Sequence, residues 1–123
     1  MKGVNIVILW GNVGDNPRIT HTESGMAIAN FQMATNDGWT TNNGRREERT
    51  EWHDITCFEG LADKIVGTMV KKGSSVLVIG SKRKKKFGVG DEVVANTIRV
   101  TSRGGDSGGD VGLAIADALT ANK

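Results

Sequence analysis

The segment TEWHDITCFEG, residues 50–60, gathers a tryptophan, a histidine, a cysteine and a phenylalanine within seven residues. Cysteine with histidine would supply a nucleophile and its base. Tryptophan with phenylalanine would supply a surface on which flat rings stack. In an extended strand successive side chains alternate between faces. Trp52, Asp54, Thr56 and Phe58 therefore share one face, and His53, Ile55 and Cys57 the other. His53 and Cys57 lie roughly 13 Å apart along that strand. A nucleophile and its base must approach to about 3 Å. Strand geometry thus argues against a catalytic dyad, and nothing in the sequence links the distant His21 to Cys57. The expectation is no enzyme: Cys57 as a small buried thiol, and His53 at an interface or in a satisfied hydrogen bond.

The Trp52 face interleaves large aromatics with polar groups. From this strand alone two readings stay open. The rings cover a core, or they form a wet surface for unstacked bases, each stack contributing ~1–3 kcal/mol. Trp39 lies in the polar stretch NDGWTTNNG, where it is a loop anchor or an exposed ring. In KRKKKF, residues 82–87, alternation sets Arg83, Lys85 and Phe87 on one face. A solvated strand end or a localisation tract would also give such a run. Cations beside an aromatic point instead to a groove that tracks a phosphate backbone.

These residues need elements to hold them. A chain of 123 residues fits one domain. Its net charge of +2 means that polyanion binding must come from where charges sit. One cysteine makes neither an internal disulfide nor a Cys-rich zinc site, and no metal or cofactor is expected. The apolar run of residues 4–10 is too short for a signal h-region or a membrane span, so a cytoplasmic protein without membrane attachment is expected.

Residues 4–10 read as a strand that breaks at Gly11-Asn12, and Ile19–His21 as a short second piece. Residues 26–35 place Ala27, Ala29, Phe31 and Met33 on one face. Residues 36–50 form a polar hairpin centred on Asn43-Gly44, whose type I′ turn needs positive φ at both central residues. Residues 51–58 are the next strand. Leu61, Ile65, Val66, Met69 and Val70 recur at helical spacing, with Gly73 suited to C′. Residues 75–79 and 92–100 complete the strands. This order fits an all-β fold, a five-stranded Greek-key barrel of the OB type with one α-helix between strands 3 and 4. The expected organisation is a barrel domain over 1–101, then a flexible Gly-rich linker and short tail over 102–123.

Four ordered stretches, GVNIVILWGNVGDNP, GMAIANFQMATNDGW, TEWHDITCFEGLADKI and KKGSSVLVIGSKRKKKF, resemble the successive motifs of the bacterial-type single-stranded DNA-binding protein family. The likeness spans residues 2–100. It implies an OB-fold homotetramer that coats and protects single-stranded DNA without sequence specificity during replication, recombination and repair. By motif position it implies base stacking on Trp39, Trp52, Phe58 and Phe87. It likewise implies phosphate contacts from Lys2, Lys72, Arg83, Lys85 and Lys86. It sets Val4, Ile6 and Ile8 on the strand that pairs between subunits, and His53 toward the subunit interface. RNA is not excluded as a ligand, since stacking is blind to the 2′-hydroxyl. The implied location is the cytoplasm of a bacterium or phage-infected cell, in association with the nucleoid.

Some positions depart from the family pattern. Asp54 stands where arginine is frequent and brings negative charge to the stacking face. Ile6 replaces a frequent lysine, and Trp10 a small aliphatic residue. Trp10 is then an added stacking group, an interface filler or core. The hairpin after Phe87 is short. The ending LTANK lacks the family's acidic tip, which argues against tip-mediated docking of partners. The alternative reading is a primosomal-type OB-fold accessory protein that acts mainly through protein partners.

Overall fold

The structure is a computed structural model that describes residues 3–102. Lys2 and the linker and tail expected beyond Ser102 lie outside the described residues. The elements are β1 (Val7–Val13), β2 (Arg18–His21), β3 (Ala27–Thr40), β4 (Arg46–Phe58), a short helix α1, β5 (Ser75–Lys84) and β6 (Asp91–Ser102). Helix α1 is wound as a π-helix over Leu61–Val66 and continues as one α-turn over Gly67–Met69.

The strands run in the order β1-β5-β6-β4-β3-β2, and a β1–β3 pairing closes β1, β5, β6, β4 and β3 into a barrel. Counting barrel strands along the chain, α1 follows the third, β4, and precedes the fourth, β5. The expected architecture is therefore present. β4 and β6 pair in parallel at Ile55↔Val93 and Thr56↔Val94, and the other pairings are antiparallel.

Alternation fills the barrel. Ala27, Ala29, Phe31 and Met33 point inward from β3, Ile55 and Cys57 from β4, and Val76 and Val78 from β5. Ala62, Val66 and Val70, spaced four apart, plug one end. Among the described residues no buried side-chain polar atom lacks a hydrogen-bond partner.

Several local expectations are corrected. β1 does not break at Gly11-Asn12 but runs through them to Val13. Gly11 precedes Asn12, where β1 pairs with β5 and β3 at once, and a Cβ at Gly11 would sit 2.0 Å from the Ala34 carbonyl oxygen. Glycine in a strand interior here marks a close backbone approach, not a stop. The polar stretch 36–50 is mostly strand: β3 and β4 pair without a register shift from Ile28↔Phe58 to Thr40↔Arg46. The two strands thus project as a hairpin arm wetted on both faces, which removes the hydrophobic alternation that would have revealed them. Its turn has positive φ at Gly44 but not at Asn43, so it is not type I′. The Gly44 N–H donates to the Thr41 carbonyl, and the Thr41 N–H to the Arg45 carbonyl. Gly73 does have φ +89°, but it closes a turn over Lys71–Ser74 beyond an extended Val70 rather than capping the helix.

Candidate nucleic-acid interface

The outward positions of β3 and β4 form the floor of an open groove. Register places Asn30 opposite Thr56 and Gln32 opposite Asp54. Strand β2 forms one wall, contributing Arg18 and Thr20. The β5–β6 hairpin brings Arg83, Lys85, Lys86, Phe87 and Glu92 from the other side. The groove encloses ≈ 950 Å³.

The aromatic groups in and beside it differ in exposure. Trp52 is 58% exposed. The edge of its indole lies against Gly14, where a Cβ would sit 2.3 Å from Trp52 Cζ3. Glycine there lets the ring lie close to the barrel wall. Phe58 is half-buried and sits 5.8 Å from the Arg83 guanidinium, within cation–π range. Phe87 is 91% exposed at the hairpin tip. The Trp52 and Phe58 face is therefore the wet one, and the core reading of that face is overturned for Trp52.

Trp39 is exposed but separate. With the register continuous, it shares the face of the arm that carries Asp37 and Arg49, while Trp52 is on the reverse. Arg49 sits 6.0 Å from the Trp39 ring and is also paired with Asp37 and Glu51. The two tryptophans do not line one groove. A strand meeting both must wrap the arm.

The cations on the floor are paired. Lys85 Nζ lies 2.5 Å from Asp54 Oδ2, and Gln32 Nε2 donates to Asp54 Oδ1 at 2.9 Å. These hydrogen bonds, led by that from Lys85, hold the Asp54 carboxyl below its usual value, and Asp54 in turn raises Lys85. Arg83 Nε donates to Glu92 Oε2 at 3.0 Å. The Thr56 hydroxyl lies 2.6 Å from Glu92 Oε1 and 2.9 Å from the Asn30 side chain. Its single proton serves one of them. Glu92 Oε1 and Asn30 Oδ1 can both only accept, and the shorter contact is the one to Glu92. Lys72 is exposed, and its backbone N–H is tied to Asn16, at the groove rim, by a 2.9 Å hydrogen bond.

Cys57 is fully buried, and burial pushes its thiol up to about 11. His53 Nε2 is 2.8 Å from the Thr35 hydroxyl, and His53 faces the core side of β4 opposite Met33. The two are not poised as nucleophile and base.

A second surface lies on the outer face of β1 and the residues before it. Register sets Ile8 against Ile79 and Trp10 against Leu77. Val4, Ile6, Ile8 and Trp10 are exposed. From Val7 to Gly11 one edge of β1 pairs with β5 while the other carries no partner strand among the described residues. Asn5 prolongs the paired edge, its side-chain amide bonding both backbone groups of Lys82 at 2.6 and 3.1 Å. Trp10 lies on this face, not in the groove or core, with Nε1 donating to Thr101 Oγ1. His53 faces the opposite side of the sheet, so it does not join Val4, Ile6 and Ile8 in one patch. Leu77 and Ile79, opposite Trp10 and Ile8 on β5, are buried at 0% and 3% exposure, so the open apolar surface is that of β1 and the residues before it.

The profile of the Single-strand binding protein family matches residues 4–104. The chain belongs to this family. Single-stranded DNA-binding proteins of two Neisseria meningitidis strains, serogroups A and B, are each 38% identical over 114 residues, covering 86% of this chain and 65% of theirs. This chain thus spans just under two thirds of those relatives' length. Among solved structures, a Plasmodium falciparum SSB in complex with ssDNA superposes with a TM-score of 0.72 at 27% identity, covering 80% of this chain and 94% of that one. A deletion mutant of the Thermus aquaticus single-stranded DNA-binding protein gives 0.68 at 27% identity, over 80% of this chain and 50% of that one. Family membership agrees with the barrel, the groove and its open rings. Among the described residues no helix is long and apolar enough to cross a membrane.

Proposed function

We propose that the protein binds single-stranded DNA without sequence specificity, coating and protecting it during replication, recombination and repair, and that it does no chemistry. The observation that carries this reading is the groove, where Phe87 stands open to solvent beside Phe58 and clustered cations, with Trp52 exposed further along the same face of β4. Unpaired bases offer flat faces to these rings, whereas a duplex keeps its bases stacked on each other. Trp39 adds a stacking site on the reverse of the arm. Arg83, Lys85, Lys86 and Lys72 serve the phosphates, together with Lys2 and with Arg18, which lines the β2 wall. Family membership and a superposing relative solved with ssDNA support the assignment.

Assembly into a homotetramer is part of the proposal. The exposed apolar residues of β1 and just before it, and the β1 edge that carries no partner strand among the described residues, support it, since an exposed strand edge is a template for another chain. Val4, Ile6 and Ile8, extended by Trp10, form the main contact, and His53 a separate one. The proposed location is the bacterial cytoplasm.

The test is quenching of tryptophan fluorescence by oligo-dT across a salt series, with duplex DNA and oligo-U as competitors. Strong quenching at low salt that weakens as salt rises is expected. Tighter binding to duplex, or no quenching at low salt, refutes the proposal. Competition by oligo-U measures how far RNA shares the site.

A further inference from the structure

The groove floor holds two ion pairs of different character. Glu92 is fixed: its side chain is only 12% exposed, and it also accepts from Thr56. Arg83 is braced by Glu92 on one side and by the Phe58 ring on the other. In the Lys85–Asp54 pair the carboxylate is the more open one, compared with Glu92. The side chains of Lys85 and Asp54 are 29% and 34% exposed, and both line the open groove. Gln32 keeps the Asp54 carboxylate oriented if Lys85 departs.

A phosphate oxygen and a carboxylate oxygen present the same charge and acceptor chemistry to an ammonium group. From this geometry we infer that Asp54 is a built-in competitor for phosphate: it occupies Lys85 in the free protein, and single-stranded DNA must exchange for it. The inference rests on the groove being the face that binds DNA. It deepens that reading by naming a residue that sets affinity and salt response.

The consequence follows from charge accounting. A lysine that neutralises a phosphate releases a condensed counterion and adds about 0.7 to the salt slope on a single strand. When Lys85 leaves Asp54 for a phosphate, it bares one negative charge as it covers another. The net neutralisation is close to zero. In the parent chain Lys85 therefore adds little to the slope or to the affinity. Arg83, held by a largely buried partner and an aromatic ring, keeps its place and steadies Phe58.

The experiment uses the full chain and oligo-dT, read by tryptophan quenching from low to high NaCl. It compares the parent with Asp54→Asn, and with Asp54→Asn combined with Lys85→Met. Asparagine keeps the size and still accepts from Gln32, and circular dichroism checks the fold. Asp54→Asn is expected to bind several-fold tighter, with a slope steeper by about 0.7. Adding Lys85→Met should return both to parental values. A second readout is the Asp54 carboxyl carbon resonance in labelled protein. Its titration midpoint should rise when oligo-dT is added, because its ammonium partner has gone. Asp54→Asn with parental affinity and slope overturns the inference while leaving DNA binding standing. So does an Asp54 midpoint unmoved by DNA. Absence of quenching in every chain overturns both readings.

Discussion

Gly14→Ala isolates the placement of Trp52 from its presence. A Cβ at Gly14 would lie 2.3 Å from Trp52 Cζ3 and 2.7 Å from Cη2, whereas ordinary contact begins near 3.4 Å. The indole must retreat by about 1 Å or swing to another rotamer. It can do so cheaply, because Trp52 is 58% exposed and the clash is with the far end of its ring. The backbone does not object: Gly14 is not among the positive-φ glycines, and its N–H still donates to the Gln32 carbonyl. Stability should therefore hardly change. Binding should change, since a displaced ring must be re-ordered when a base stacks on it. Ordering one such side chain costs about 0.5–1.5 kcal/mol, a loss of about two- to thirteenfold in affinity. Trp52→Ala removes the stack itself and should cost ~1–3 kcal/mol, about five- to 150-fold. Oligo-dT titration at one low salt concentration measures both variants, with thermal melts alongside. The salt slope should stay parental in each, because no cation is touched. Gly14→Ala that binds like the parent would show that the seat of the ring is irrelevant. A collapse of its melting temperature would show that Gly14 serves the fold instead.

Gly11→Ala should behave in the opposite way. Its Cβ meets a backbone carbonyl at 2.0 Å, which cannot swing aside, so β1 and β3 must separate. A loss of about 1–3 kcal/mol in chemical denaturation is expected, and parental stability would count against the crossing geometry. Cys57 should ignore a thiol reagent in the native chain and react once in denaturant. Its folded value, about 11, exceeds the unfolded 9.0. Its contribution to stability is therefore complete below pH 9 and fades as pH rises toward 11. That fading amounts to about 3 kcal/mol at most. Cys57→Ala should show a shallower alkaline decline in denaturant melts, and an equal decline would mean that the thiol is not desolvated. Ile8→Asp charges the apolar face beside the free edge of β1. Light scattering should report a smaller particle than the parent, and an unchanged mass would place the contact elsewhere.

The sequence by itself determined the barrel and the inward residues of β3. Ala27, Ala29, Phe31 and Met33 alternate because one face of β3 is dry, and that pattern survives in one dimension. The separation of His53 from Cys57 followed from the same alternation. The wetted arm was illegible, since strands solvated on both faces carry no period, and Gly11 imitated a turn because its contact is with Ala34, far along the chain. Tertiary structure alone decided which charges meet. Asp54 is on β4 and Lys85 just past the end of β5, 31 positions apart in the chain, and their pairing at 2.5 Å depends on how the β5–β6 hairpin folds over the floor. It also set Trp39 and Trp52 on opposite faces of the arm, through a register that continues without a bulge from the barrel to the turn. Local pattern records whether a side chain faces water or core. Only the closed barrel fixes which other side chain it faces.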